Sequence, residues 1–279
     1  MDDEKESGLS SQPNLSIWDH SSDERFYTYY AEESQSEKTR ERFSSICNLI
    51  LRMIGTDKVT VRPLEVAEIG CGAGTMSIMW AEMGHHAHGL DINKPLLELG
   101  KKRAAEAGYK IDFQVGSAVE LPWADESMDV CIALGLLEHV ADWETCLKEF
   151  TRILRKGGIL CLMTTNKLCP IQEEYNLPLY SWYPPFLKHY FERLAMTKRP
   201  DLVNFTRYPA VNWFSFYSLR KVLTARGFRC FDRFDVIDTS KKGTLTKWLV
   251  ASIRTIPILR WLAHTATSST IVVAIKGIN

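Results

Sequence analysis

The chain has 279 residues, of which 45% are hydrophobic, so it can bury the core of one α/β domain that carries insertions. Its 34 basic and 34 acidic side chains give a formal net charge of zero. Because a neutral chain lacks the broad positive field of a nucleic-acid binder, no nucleic-acid partner is expected.

Cysteine usage and the first residues indicate the compartment. The seven cysteines form no C-x-x-C pair and several lie in predicted strands, which is typical of reduced thiols in a core. The start of the chain is acidic and polar, without the apolar stretch of a secretory signal. The sequence also has no run of about 18 apolar residues that would predict a membrane-spanning helix. These features predict a cytoplasmic protein.

Two segments precede the first predicted strand. Residues 1–15 are polar and contain glycine, serine and proline, which predicts a disordered tail. Over 16–63, apolar and aromatic residues such as Phe26, Tyr30 and Phe43 suggest one or two helices, which we interpret as an N-terminal helical cap.

The first strand runs straight into three alternating glycines. Val66–Ile69 is apolar except for Glu68, and Gly70, Gly72 and Gly74 follow it before an amphipathic helix. Glycines permit positive φ and close backbone approach, and a helix N-terminus offers unpaired N–H groups, so this turn suits a nucleotide or a nucleoside. The spacing is G-x-G-x-G and not the dinucleotide pattern G-x-G-x-x-G. A tight turn with no ligand is the alternative interpretation.

A second short strand, 86–91, ends in Asp91 about twenty residues after the glycine turn, where a carboxylate can hold ribose hydroxyls. The alternative is that Asp91 caps the helix that begins near Lys94. The elements that follow are a strand over 110–115, a loop over 116–123, a strand over 127–134, a helix over 142–154, a turn over 155–158 and a strand over 159–165.

These stretches resemble, in order, the class I S-adenosylmethionine-dependent methyltransferases. Residues 66–75 resemble their motif I, 116–123 resemble the stretch G-D-A-x-x-L-P-F with Ser117 in place of Asp, and 137–140 read L-E-H-V, as in that family. The L-E-H-V segment and the basic insertion described below are similar to the ubiquinone-biosynthesis O-methyltransferases and to related small-molecule or lipid methyltransferases. The resemblance implies S-adenosyl-L-methionine as cofactor. The cofactor-binding residues it implies are Glu68, Gly70, Cys71, Gly72, Gly74, Asp91, Ile92, Ser117, Ala118, Val119 and Leu134.

Strands that alternate with helices predict an α/β fold with a doubly wound, Rossmann-like sheet. With strands over 228–237 and 270–276 added, the family resemblance implies seven strands with the last antiparallel, within a methyltransferase domain over 64–279. Gly70, Asp91, Ser117 and Leu134 all follow or end parallel strands, so they are expected to meet at one edge of the sheet.

A long insertion over 166–216 is rich in tyrosine, tryptophan and proline. Its prolines argue against one continuous helix and its aromatic residues against disorder, so we interpret it as a lid over the substrate. Within it, Tyr183 and His189 are the candidate substrate-binding residues.

A second insertion, 238–269, is basic and amphipathic. Lysines and arginines alternate with leucines, isoleucines and tryptophans at helical spacing, which favours peripheral membrane contact through 241–262. The alternative is a helix packed on its own domain with a solvated charged face.

The predicted chemistry is methyl transfer to a small or lipid-linked acceptor, with a hydroxyl oxygen favoured. His139 follows the fourth strand and has an ordinary pKa near neutrality, so it is the candidate general base; a histidine that packs or caps a helix is the alternative. The ubiquinone-pathway enzymes carry another carboxylate where this chain has Gly135, so no metal site is expected. The competing functions are methylation of nitrogen or carbon, an NAD-linked oxidoreductase on the same sheet, and a cofactor-binding scaffold without catalysis.

Overall fold

The computed structural model describes residues 24–55, 62–172, 174–204, 210–240 and 242–277. The predicted tail 1–15 lies outside these ranges. The strands are β1 (Glu65–Ile69), β2 (His86–Asp91), β3 (Asp112–Val115), β4 (Met128–Leu134), β5 (Leu154–Thr165), β6 (Phe228–Asp232) and β7 (Ser269–Lys276). The helices are α1 (Glu24–Glu33), α2 (Glu37–Ile54), α3 (Thr75–Glu82), α4 (Lys94–Glu106), α5 (Trp143–Ile153), α6 (Pro185–Thr197), α7 (Phe216–Ala225), α8 (Arg233–Val236), α9 (Thr244–Thr255) and α10 (Pro257–Thr265).

The seven strands form one sheet in the order β3-β2-β1-β4-β5-β7-β6. Strands β1 to β5 pair in parallel, and β7 runs antiparallel to both β5 and β6. The predicted Rossmann-like sheet with an antiparallel last strand is therefore confirmed. Ile69 lies level with Leu90 and with Ala133, so β1, β2 and β4 end at the same edge.

Alternating side chains cover both faces of the sheet. In β4, Cys131 and Ala133 join a core formed with α5 and α7, whereas Val130 and Ile132 join a core formed with α2 and α3. This two-sided burial explains why the strands read as nearly continuous apolar runs. The cysteines fit the same pattern, since all seven are free thiols and six of them are buried.

Polar side chains mark where several helices begin. Asn93 accepts the N–H of Leu96 at the start of α4, and Asp142 accepts the N–H of Thr145 at the start of α5. Each side chain satisfies one of the backbone donors that a helix start leaves unpaired. Asn93, and not Asp91, is thus the cap of α4, which leaves Asp91 available for another role.

Two predicted boundaries were wrong. Strand β6 ends at Asp232, not at residue 237, because the Asp232 carboxylate accepts the N–H groups of Phe234 and Asp235 and starts the short helix α8. The turn predicted over 155–158 lies inside β5, which starts at Leu154 and pairs with β4 through an irregular register near Met128.

The first insertion has a small core of its own. The rings of Tyr175 and Tyr180 stack at 3.9 Å, and α6 packs Ala195 and Phe191 against them. Residues 205–209 of this insertion lie outside the described part of the chain. A self-supporting aromatic cluster explains how a segment with this many prolines keeps a defined shape.

The second insertion forms helices α9 and α10, which Pro257 separates at its position in the first turn of α10. Among the described helices, none is both long and apolar enough to cross a bilayer. Lys241 lies outside the described residues.

Candidate active site at the carboxyl edge of the sheet

The glycine turn between β1 and α3 has the conformation that its sequence requires. Gly70, Gly72 and Gly74 have φ values of 74°, 52° and 69°, a region that strains any residue with a Cβ. A Cβ on Gly70 would lie 3.2 Å from Leu136, and one on Gly74 would collide with the ring of Phe113. The turn is therefore packed against two other strand ends while its backbone stays accessible.

Asp91 joins the glycine turn to the end of β2. Its Oδ2 accepts the N–H of Gly72 at 2.7 Å, and its Oδ1 accepts the N–H of Asn93 at 2.8 Å. Carboxylate oxygens have further lone pairs, so the same group can still accept the hydroxyls of a ligand. The two motifs that the sequence separates by about twenty residues thus form one hydrogen-bonded unit.

Glu68 is buried beneath the turn. The hydroxyl of Ser77 donates to its Oε2 at 2.5 Å, which ties β1 to α3. Burial raises the pKa of Glu68 to about 7, and the negative charge of Asp91 adds to the rise. Near neutral pH this carboxyl is divided between its protonated and ionised forms.

The chain after β4 makes a single 3₁₀ turn over Leu137–His139, and the end of the first insertion holds it in place. The N–H groups of Val211 and Asn212 donate to the carbonyl of Glu138 at 2.9 and 3.1 Å. The side-chain amide of Asn212 donates to the carbonyls of Leu137 and Val140 at 3.0 and 2.7 Å. The backbone of the turn that carries Glu138 is therefore fixed by four hydrogen bonds from a distant part of the chain.

Glu138 is 4% exposed, yet its side chain faces the cavity at this edge of the sheet. Its Oε2 has no partner at ordinary hydrogen-bond geometry among the described residues, although the Thr164 hydroxyl and the Thr165 N–H lie near enough to the carboxyl to favour its ionised form. Burial raises the pKa of Glu138 to about 7, and the charge of Glu174 adds to the rise. A buried carboxyl with an unused acceptor atom is costly unless a ligand supplies the missing partner.

One cavity of about 1320 Å³ connects these groups. Its wall includes the glycine turn, the end of β4 with Gly135 and Glu138, and the end of β5 with Thr165. Tyr30 of α1 and Glu174 of the first insertion also line the cavity. Single small-molecule sites usually occupy about 300–1,000 Å³, so this cavity can hold a donor and an acceptor together.

The predicted cofactor residues occupy three kinds of position. Those in the cavity wall are Glu68, Gly70, Cys71, Gly72 and Leu134. Asp91 reaches the wall through its bond to Gly72, and Gly74 packs on Phe113. Ala118 is buried in the core and Val119 packs against the same core, and neither these two nor Ile92 and Ser117 belong to the wall of this cavity.

The other predicted residues are not part of the cavity wall. Tyr183 packs on Tyr180 and Phe191 in the aromatic cluster. His189 is on the exposed side of α6, 2.9 Å from Glu192. His139 is half-buried beside Glu138, but Glu138 is the member of this pair that lines the cavity. Tyr183 and His189 thus lie in the first insertion, whereas His139 lies on the turn at the carboxyl edge without being part of the cavity wall.

Tertiary structure adds three residues to the site. The sequence marks Glu138 only as part of the L-E-H-V segment, and no spacing in the sequence singles out Glu174. Tyr30 is one of several aromatic residues before β1, and the structure places it in the cavity wall. Burial raises the pKa of Tyr30, and the charges of Glu174, Glu138 and Asp91 add to the rise. These three residues are distant from Tyr30 in the chain, so local sequence does not reveal them.

Within the described ranges, no group of three or more His, Cys, Asp or Glu side chains is arranged to hold a metal ion. At the position where the ubiquinone-pathway enzymes carry a further carboxylate, Gly135 offers no side-chain ligand.

Comparisons with known proteins identify methyltransferases. A family described as "Methyltransferase domain" matches residues 67–162. The Ubiquinone biosynthesis O-methyltransferase of Rhizobium leguminosarum bv. trifolii is 33% identical over 191 residues, covering 65% of this chain and 67% of that protein. The enzyme of the same name from Azorhizobium caulinodans is 33% identical over 129 residues, covering 45% of this chain and 51% of that protein. The chain thus spans about half the length of several curated relatives that it matches.

Solved structures share the fold. The crystal structure of magnesium protoporphyrin IX methyltransferase from Synechocystis PCC 6803, with bound S-adenosylhomocysteine, covers 94% of this chain and 97% of its own, with a TM-score of 0.55 and 15% identity. At that identity the likeness concerns the fold alone. The strand order, the family match and the relative covered over two thirds of its length show that the chain belongs to the class I S-adenosylmethionine-dependent methyltransferases.

Proposed function

We propose that this protein transfers the methyl group of S-adenosylmethionine to a hydroxyl oxygen of a small or lipid-linked acceptor. The observation that carries the proposal is the single cavity that joins the Gly72–Asp91 unit to the buried carboxyl of Glu138. One end has the donors and acceptors that a nucleoside needs, and the other is lined by Glu138, whose buried Oε2 has no hydrogen-bond partner among the described residues. The names of the O-methyltransferase relatives support oxygen as the methylated atom.

The residues at the glycine turn fit the cofactor. The missing Cβ of Gly70 leaves space next to Leu136 that any other residue would fill, and Asp91, bonded to Gly72 of the same turn, has lone pairs for ribose hydroxyls. Bound S-adenosylmethionine supplies an electrophilic methyl group on a sulfonium. The protein's part is to hold the two reactants in line and to exclude water, which together can lower a barrier by several kcal/mol.

The N-terminal helices and the first insertion are proposed as the cover of this site. Tyr30 comes from α1, and Gln172 and Glu174 come from the start of the insertion, and all three line the cavity. Both segments can therefore exclude water from the reacting groups, which is the role expected of a cap over 16–63 and of a lid over 166–216.

Calorimetric titration tests the cofactor assignment. We expect heat of binding with S-adenosylmethionine and with S-adenosylhomocysteine, and none with NAD. Binding of NAD alone would contradict the proposal and favour an oxidoreductase on the same fold. Tritiated methyl transfer to catechol and amine probes, followed by chromatography of the products against the authentic methyl ether and methylamine, then distinguishes methylation of oxygen from methylation of nitrogen.

We also propose that α9 and α10 form a peripheral membrane contact, here called the apolar hairpin face. It consists of exposed apolar side chains on the two helices: Leu245, Trp248, Leu249, Ile258, Trp261 and Leu262, with Leu245 83% and Trp248 71% exposed. Lys242 and Lys247 are exposed beside them. Apolar and aromatic residues flanked by lysines suit the interface of an anionic membrane.

The opposite side of the hairpin is polar and fixed to the domain. Arg254 donates to the carbonyls of Phe234 and Ile237 at 2.7 and 3.0 Å. Arg260 donates to the buried Asp232 at 2.7 Å, and His264 lies 2.8 Å from the same carboxylate. Since the charged side anchors the helices, their apolar side is held outward, the reverse of a helix that packs its apolar face on its own core.

Liposome flotation tests this contact. With vesicles that contain anionic lipid at low salt, we expect the wild-type protein to float and Trp248→Ala to float much less. Phe186→Ala is the matched control, because Phe186 is 75% exposed on α6, outside the hairpin, and should float like wild type. Failure of the wild-type protein to float would overturn the membrane contact.

A further inference from the structure

We propose that Glu138 is the catalytic base that takes the proton of the acceptor hydroxyl, within an acidic acceptor subsite that Glu174 and Tyr30 complete. This inference rests on the proposed function, because it assigns a role in methyl transfer to oxygen. In this proposal the base is Glu138 and not His139, its neighbour in the same turn.

Position is the first argument. Glu138 follows β4, whose end lies level with the ends of β1 and β5, so its side chain stands at the same edge as the glycine turn. Leu136, two residues before it, is the side chain that packs on Gly70. A cofactor seated on the turn therefore has the Glu138 segment as its immediate neighbour on the β4 side.

The second argument is the state of the carboxyl group. Glu138 lines the cavity although it is nearly fully buried, and its Oε2, which is itself closed to solvent, has no hydrogen-bond partner among the described residues. Four hydrogen bonds from Val211 and Asn212 hold its turn in place. A rigidly placed acceptor atom without a partner is what a base needs in order to receive a proton from a bound hydroxyl.

The third argument concerns the groups that face Glu138. Glu174 of the first insertion lies close enough for its charge to raise the pKa of Glu138. Tyr30 of α1 is within electrostatic reach of Glu174, Glu138 and Asp91 at once. Burial, followed by the charge of Glu174, holds the pKa of Glu138 at about 7, which matches a base that works near neutral pH. His139 lies next to Glu138 on the same turn.

The proposed step is balanced in atoms and electrons. The acceptor oxygen forms a bond to the methyl carbon as the carbon–sulfur bond breaks, and the electron pair of that bond stays on sulfur. The hydroxyl proton moves to the Glu138 carboxylate. The products are the methyl ether or ester, S-adenosylhomocysteine and a protonated Glu138, which returns its proton to solvent when the site opens.

Calorimetry in two buffers of different ionisation enthalpy tests the position of Glu138 without any acceptor. S-adenosylmethionine and S-adenosylhomocysteine differ by the methyl group and by the positive charge of the sulfonium, so the difference in protons released isolates groups near that charge. Near pH 7 we expect S-adenosylmethionine to release up to about half a proton more than S-adenosylhomocysteine, because a nearby cation favours the ionised carboxylate.

Variants assign the released proton. In Glu138→Gln, the difference in proton release between the two ligands should vanish while both ligands still bind. Glu138→Asp keeps a carboxyl group and should retain part of the difference, which guards against a folding defect in the first variant. Glu144→Gln is the matched control, since Glu144 is exposed on α5 only six residues further along, and it should behave like wild type.

Two outcomes would overturn the assignment. Equal proton release for the two ligands in the wild-type protein would remove Glu138 from the neighbourhood of the sulfonium. If Glu138→Gln keeps the whole wild-type difference in proton release between the two ligands, the proton comes from another group. If neither ligand binds, the proposed function itself fails, and this result is distinct from both.

Discussion

The backbone N–H of Gly72 donates a 2.7 Å hydrogen bond to Oδ2 of Asp91. This bond joins the turn after β1 to the end of β2. Because Asn93 supplies the cap of α4, Asp91 is not needed for that purpose. Its carboxylate therefore shapes the glycine turn, and we propose that the same group holds the ribose hydroxyls of the cofactor.

Replacing Asp91 with Ala should weaken S-adenosylmethionine binding by about 10- to 100-fold, since hydrogen bonds to a charged group are worth about 1.5–3 kcal/mol. Calorimetric titration measures the loss. Asp112→Ala is the control, because Asp112 starts the neighbouring strand β3 at the opposite edge of the sheet. The affinity of this variant for S-adenosylmethionine should be unchanged. Unchanged affinity in Asp91→Ala would exclude this residue from the site.

Gly74→Ala should destabilise the fold by about 2–4 kcal/mol, the sum of backbone strain at positive φ and a collision with Phe113. Urea unfolding measures the change. Gly84→Ala offers a comparison, since Gly84 also has a positive φ but nothing lies within 4 Å of its Cβ position. Gly84→Ala should lower the free energy of unfolding by about 1–2 kcal/mol, from backbone strain alone. Equal losses in the two variants would contradict the packing role of Phe113.

Stability should depend on pH through the two buried glutamates. The folded pKa values of Glu68 and Glu138 are about 7, against an ordinary value of 4.5, so the folded state holds protons that the unfolded state has lost. Their contribution to the free energy of unfolding is therefore complete below about pH 4.5 and declines as the pH rises to about 7.

The variant Glu68→Gln isolates one of these groups. Relative to wild type, the stability of this variant should increase by up to about 3 kcal/mol between about pH 5 and pH 8, because only wild type loses the contribution of Glu68 and a shift of one pKa unit corresponds to about 1.4 kcal/mol. Denaturant unfolding at the two pH values gives the difference. A constant difference at both pH values would show that the carboxyl of Glu68 titrates normally.

Asn212→Ala should release the turn that carries Glu138. Its amide makes two hydrogen bonds to backbone carbonyls in that turn, so its loss should lower the free energy of unfolding by about 1–3 kcal/mol. In the two-buffer titration, the extra proton released with S-adenosylmethionine should also shrink, because Glu138 is no longer held towards the cavity. Asn176→Ala removes one exposed bond to the carbonyl of Asp201 and should leave the proton release unchanged.

Several elements could be predicted because local patterns determine them. The apolar runs of β1 and β4 reflect burial on both faces of a parallel sheet, and the glycines at 70, 72 and 74 reflect positive φ. The end of β6 could not be predicted, because the turn at Asp232 depends on a side chain that caps α8 while it also binds Arg260 and His264 from far along the chain.

The sequence by itself determined the order of strands and helices, the glycine turn and the carboxylate at the end of β2, because each depends on residues close together in the chain. Only the tertiary structure decided which side chains face the cavity. Glu138 and His139 are adjacent in sequence, and the hydrogen bonds from Val211 and Asn212 orient the turn so that Glu138 lines the cavity. Glu174 and Tyr30 join it from segments more than a hundred residues apart, and contacts over that distance leave no periodic signal in the sequence.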